Sequence, residues 1–140
     1  DPGNLGTMIR TGEGAGIKGV IMNSQTVDIF NPKTIRATMG SIFRVPFVYV
    51  PELSPVLTQM HEKGIHTYAA HLKGKEYYDS FSFREPTAFL IGNEGNGLTK
   101  EISDQSGQYL KIPMEGKVES LNASIAAALL MYEAHRQRKL

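Results

Sequence analysis

No cysteine occurs anywhere in the 140 residues, which excludes disulfides, thiolate metal sites and cysteine nucleophiles. The absence fits a reducing compartment, and the expected location is the cytoplasm. Charge of one sign is equally scarce: 15 Lys and Arg against 14 Asp and Glu leave a net charge of +1. Any nucleic-acid binding must then come from a local patch or from a segment outside this chain. Long apolar runs are also missing. The most apolar stretch, 123–132, is far shorter than the roughly 20 residues that span a bilayer, so no membrane association is expected. There is no internal repeat, low-complexity tract or interdomain linker. What remains is a chain with 41% apolar and 21% charged residues, ordinary for a globular protein and long enough for one domain with a real core.

Hydrophobic spacing and punctuation order the chain. Asn4 or Gly6 opens a helix through about residue 15, with Met8 and Ile9 inward. Residues 20–23 form a short buried strand. Asn31-Pro32 starts a helix over 33–39 that stops at Gly40. Residues 45–50 form a strand that is short or at an edge, because of Pro46. A helix covers 52–63 and ends at Gly64, 66–70 is a strand, and 73–85 is a charged, aromatic loop. Then come a strand over 87–91, a helix over 98–105, a strand over 109–112, and the longest helix over 120–138, capped by Ser120. Helices alternating with apolar strands predict an α/β fold with a mostly parallel sheet. On such sheets ligands bind beyond the carboxyl ends of the strands, where the loops after Ile91 and Ile112 and before Ser120 fall.

Two phosphate motifs fail on context. Gly14-Ala15-Gly16-Ile17-Lys18-Gly19 matches GxGxxG by letter, but it follows a helix and precedes a strand, the reverse of a dinucleotide site. A helix end and tight turn is the better reading. Gly92–Gly97 resembles a P-loop, yet Leu98 stands where the phosphate-binding lysine belongs, which disfavours a nucleotide-phosphate enzyme. His61, His66, His71 and His135 fall on different elements and do not form a metal site; no metal is expected.

The informative stretch is the last third: Ile91-Gly92-Asn93-Glu94-Gly95-x-Gly97-Leu98, then Ile112-Pro113-Met114, then Glu119-Ser120-Leu121-Asn122-Ala123-Ser124 leading into a helix with Glu133. Each group supplies backbone or small polar groups instead of a catalytic His, Cys or Lys. Together with Asn4-x-Gly6-x-x-x-Arg10-Thr11, continuing into Ala15-Gly16, these motifs resemble in order and spacing the C-terminal catalytic domain of the SpoU-type (TrmH) RNA 2′-O-ribose methyltransferases of the SPOUT superfamily. The resemblance covers nearly the whole chain.

The resemblance implies a deep trefoil knot that holds S-adenosylmethionine, with cofactor contacts at Gly92, Ile112 and Leu121, chiefly through backbone groups. It implies a homodimer with the knot and long helix at the interface. It also implies an RNA substrate, with ribosomal RNA preferred over transfer RNA. The family's first strand precedes Asp1, and many members carry an N-terminal RNA-binding domain, so residues 1–140 read as a catalytic domain cut from a longer protein. The alternative of another class is a non-catalytic knotted RNA-binding or scaffold module.

Methyl transfer from a sulfonium to a ribose hydroxyl is an in-line displacement needing alignment and help with the 2′-OH proton. The family's arginine maps to Arg10. A guanidinium does not give up its proton readily, so an electrostatic role on the developing alkoxide fits Arg10 better than general-base action. Asn4 can orient the ribose or Arg10, or simply cap its helix. Glu94 can position Arg10 or a backbone amide. Ser120 reads as the cap of the last helix. Asn122, one step inside that helix, reads as a site residue. Tyr77, Tyr78, Phe81 and Phe83 can stack bases, but packing is their expected use.

Overall fold

The computed structural model describes residues 1–93 and 97–139. It divides into two compact units, Asp1–Leu53 and Ser54–Leu140. All paired strands run parallel and helices flank them, as expected for an α/β fold.

In the first unit, α1 spans Pro2–Ala15 and starts earlier than its apolar spacing suggests. Asp1 is the cap, accepting a 2.8 Å hydrogen bond from the Gly3 N–H, and Pro2 takes the first helical position, where no N–H is needed. Asn4 is therefore not the cap. The helix ends at Gly16, whose φ of 82° lets the Gly16 and Ile17 N–H groups close onto the Glu13 and Gly12 carbonyls. That is the helix-end reading of the glycine cluster. Next come β1 (Val20–Asn23), α2 (Pro32–Thr38, capped by the Asn31 side chain), a 3₁₀ turn over Ser41–Phe43, and β2 (Phe47–Val50), which pairs with β1. Leu5, Ile9, Met22, Ile29, Ile42 and Val45 make the core. Two fully buried threonines satisfy their hydroxyls on backbone: Thr34 donates to the Pro2 carbonyl (3.0 Å) and Thr38 to the Ile35 carbonyl (2.7 Å).

The second unit contains α3 (Ser54–Glu62), β3 (His66–Ala70), a 3₁₀ turn (Tyr78–Ser80), β4 (Thr87–Leu90), α4 (Lys100–Gln105), β5 (Gln108–Leu110) and α5 (Ala123–Lys139). The strand order is β4-β3-β5, with β3 central. Alternation along β3 divides the core. Tyr68 joins Phe83, Leu110, Leu130 and Ala134, while its neighbour Ala69 joins Leu57 and Leu90. Full burial of a side chain such as Leu130 contributes about 1.5–3 kcal/mol. In the aromatic segment 77–85, Tyr78, Phe81 and Phe83 pack on the core while Tyr77 is half exposed; Phe83 is fully buried and meets Tyr68 edge-on with ring centres 5.0 Å apart. α5 begins at Ala123, not at Ser120, because Asn122 supplies the cap.

Gly6 fixes how closely α1 and α2 approach. A Cβ there would lie 2.5 Å from both the Ala37 Cβ and the Thr34 carbonyl oxygen. Gly6→Ala should therefore destabilise the fold by about 1–3 kcal/mol despite alanine's better helix propensity. A urea midpoint lower than the parent's, at unchanged slope, is the expected result.

Candidate functional site

The carboxyl ends of β3, β4 and β5 share one edge because the three strands are parallel. Ala69 pairs with Leu90 and Ala70 with Leu110. Gly92 and Ile112 each lie two residues beyond those strand ends. They are at nearly the same level, on either side of β3, roughly 10 Å apart by two strand spacings.

The third segment reaches the same edge through α5. At its far end, Arg138 donates to the Phe83 and Glu85 carbonyls (2.9 and 3.0 Å), just before β4 begins. Leu130, two turns earlier, packs on Tyr68 and Leu110 farther along the strands. α5 thus runs antiparallel to the sheet. With about 1.5 Å rise per residue, its N-terminus, preceded by Leu121, returns to the carboxyl edge. Gly92, Ile112 and Leu121 are all partly buried.

Gly92 has a stringent steric reason to be glycine. A Cβ on it would stand 2.3 Å from the Gly97 carbonyl carbon and 2.4 Å from the Leu98 nitrogen. The Asn93 carbonyl accepts from the Gly97 N–H at 2.9 Å, and Gly97 has a φ of 63°. Gly97 and Leu98 therefore lie back against Gly92 and Asn93 at the strand end. Glu94 lies outside the described residues. α4 follows with its own cap, Thr99, so its N-terminus is already engaged.

Asn122 sits where Ser120 was expected. Its Oδ1 accepts from the Ser124 N–H (2.8 Å), the Ser124 hydroxyl (2.6 Å) and the Ile125 N–H (3.3 Å). The position thought to need no cap is the cap, and Ser120 is exposed two residues before it. This anchors the backbone of Leu121 from its C-terminal side.

Asn4 and Arg10 belong to α1 in the other unit. Six residues of helix separate them by about 9 Å along the axis and roughly 120° around it. Arg10 is exposed, and among the described residues it takes part in no salt bridge. A surface ion pair is thus not its role among these residues. The acidic group one turn on, Glu13, is taken instead by Arg44, which grips it with two guanidinium nitrogens, and by the Ser41 hydroxyl at 2.6 Å. Nothing in the sequence pairs Glu13 with a residue 31 positions away. Sequence reading also missed the bond between His61 Nε2 and Thr67 Oγ1 (2.8 Å). Among the described residues no group of three His, Asp or Glu converges to hold a metal ion.

The chain matches the SpoU rRNA Methylase family over residues 1–132. It is 38% identical over 132 residues to the 23S rRNA (guanosine(2553)-2′-O)-methyltransferase RlmP of Bacillus subtilis, covering 94% of this chain and 53% of that protein. The SpoU methyltransferase AviRb from Streptomyces viridochromogenes, solved in complex with AdoMet, superposes with a TM-score of 0.92 at 35% identity, covering 99% of this chain and 54% of that one. An AdoMet-bound rRNA methyltransferase from Sinorhizobium meliloti gives 0.89 at 37% identity, covering 97% of this chain and 52% of that one. The chain spans about half the length of the curated relatives it matches.

The Arg44 and Ser41 hydrogen bonds hold the Glu13 carboxyl at about 2, below its ordinary 4.5. A depressed carboxyl stabilises the fold above its unfolded value and loses that contribution as pH falls toward the folded one. Glu13→Gln should therefore melt below the parent at about pH 6, and the gap should close between about pH 4.5 and 2. Thermal melts across that range check it; a constant gap would assign the effect to shape instead of charge.

Proposed function

Because the chain belongs to the SpoU rRNA Methylase family, we propose that residues 1–140 are the catalytic domain of an S-adenosylmethionine-dependent RNA 2′-O-ribose methyltransferase. What supports this reading is that Gly92 and Ile112 each follow, by two residues, the carboxyl ends of β4 and β5, the two parallel strands that flank β3. Backbone N–H and C=O groups of the folded-back loop after β4 and of the segment after β5 suit an adenine and an amino-acid moiety, with no charged side chain needed. S-adenosylmethionine, when bound, supplies an electrophilic methyl group.

The chain's own residues do the rest. Arg10 holds the RNA by a phosphate and stabilises negative charge on the ribose 2′ oxygen as its proton leaves. Asn122 fixes the backbone leading into α5, and with it the placement of Leu121. Asn4, Glu94 and Ser120 remain assigned to the site by the family motifs. Ribosomal RNA is the preferred substrate, in line with the names of the relatives, and the cytoplasm the expected location. No described helix is long and apolar enough to cross a membrane.

We also infer the knotted topology. The segment leaving β3 runs beside the end of β5, with Lys111 donating to the Glu76 carbonyl (3.0 Å) and accepting from the Tyr78 N–H (2.9 Å). α5 then clasps residues 81–85 of that same segment. A chain end returning through its own earlier connection accounts for both sets of bonds. A homodimer through α5 is supported by Ile125, Leu129 and Tyr132, exposed along one helical stripe beside Tyr78.

Calorimetric titration with S-adenosylhomocysteine tests the site. Saturable binding is expected, lost on Leu121→Arg. It should be unchanged on Arg10→Ala, while methyl transfer to unmodified ribosomal RNA by the full-length protein falls at least about 100-fold. No binding by the folded parent would favour a scaffold. For the dimer, Leu129→Glu should shift sedimentation from two copies to one.

A further inference from the structure

The first unit carries an exposed corner that its own fold does not use. Gly6, Arg10 and Glu13 lie at i, i+4 and i+7, one stripe of α1. Gly6 abuts Ala37 in α2, and Glu13 binds Ser41 and Arg44 at the 3₁₀ turn. Arg10, between them on the stripe, therefore faces the turn at 38–40. Two large apolar side chains are exposed on this turn and on the 3₁₀ turn that follows it: Met39 at 66% and Phe43 at 86%, the most exposed of the large hydrophobic residues described. Met39 is also the one non-glycine described residue with positive φ, at 50°. It is the left-handed cap that ends α2, its N–H bonded to the Arg36 carbonyl.

Building on the RNA reading above, we propose that Phe43 and Met39 form a platform for a nucleobase flanking the methylated ribose, with Arg10 on the adjoining phosphate. An exposed cation with no carboxylate partner among the described residues, on the helix that packs against the segment bearing two exposed apolar side chains, matches the chemistry of single-stranded RNA: phosphate for the guanidinium and a base for the ring. Glu13 does not cancel the charge, because Arg44 already holds it. A second copy is a poorer occupant, since its matching corner would bring like charges together.

The chain has no tryptophan, so Phe43→Trp installs a single indole reporter. Titration with a single-stranded adenosine dodecamer should quench its emission, whereas polyphosphate of similar charge should not. Phe43→Ala should weaken dodecamer binding, read by anisotropy, about ten-fold. Thermal melting and S-adenosylhomocysteine binding should stay at parental values. The platform is overturned by binding without quenching, by a Phe43→Ala affinity within two-fold of the parent, by no dodecamer binding at all, or by a blue-shifted, concentration-dependent indole signal without RNA, which would mean that a second copy covers the corner. Loss of S-adenosylhomocysteine binding in the parent alone would instead strike at the methyltransferase reading and leave the quenching result to stand or fall separately.

Discussion

A central strand paired in parallel on both sides governs the second unit. β3 takes β4 on one edge and β5 on the other. Parallel neighbours cannot be joined by hairpins, so each connection must cross the sheet and come back to its starting end. Every strand consequently finishes at the same edge, and the loops after β4 and β5 meet there. Just past β4 the main chain of Gly97 and Leu98 presses back against Gly92, and so close a backbone approach needs a residue without Cβ, which is the reason for Gly92.

The same constraint explains the clasp by α5. Residues 81–85 approach β4 without a strand partner, and their peptide groups would be costly to bury unpaired. Gln137, itself buried, supplies both halves of a peptide-like partner. Its Oε1 accepts from the Phe83 N–H at 2.6 Å, and its Nε2 donates to the Phe81 carbonyl at 2.9 Å and to Glu133 at 2.8 Å. Arg138 completes the set on the Phe83 and Glu85 carbonyls. With its backbone satisfied, the segment can turn Phe83 into the core. The aromatic stretch thus serves packing, and its bonding partners lie more than fifty residues away.

Sequence separation decides what was legible beforehand. Local chemistry was read well: the Asn31-Pro32 start, the Gly16 end, the alternation of elements and the parallel sheet all rest on contacts within a few residues or on strand period. The fold-back at Gly92 was visible as a glycine cluster, but its cause was not, because the atoms that forbid a Cβ belong to Gly97 and Leu98. Errors of one turn came from capping. Asp1 and Asn122 won over Asn4 and Ser120, since several cap-competent residues lay within reach and only the folded geometry chooses among them. Pairings such as Glu13 with Arg44, or Gln137 with Phe83, left no periodic trace at all. The motif residues were legible only because they come as a set. Taken singly, Arg10 is an exposed helical arginine like any other.

On the proposed reading, cofactor and RNA pose different recognition problems and are met by different atoms. A small cofactor of fixed shape is read well by rigid main chain. A ribose on a flexible polyanion is better met by exposed side chains that can move to it. Such side chains are easily neutralised by their own neighbours. Glu13 stands three residues from Arg10, a spacing at which opposite charges on a helix attract. Were Glu13 unengaged, Arg10 would be drawn back along α1 and its charge offset. Arg44 and Ser41 hold that carboxylate at the 3₁₀ turn. On the proposed reading the pair thus does more than join α1 to the 3₁₀ turn: it occupies the carboxylate that stands nearest to Arg10 along α1.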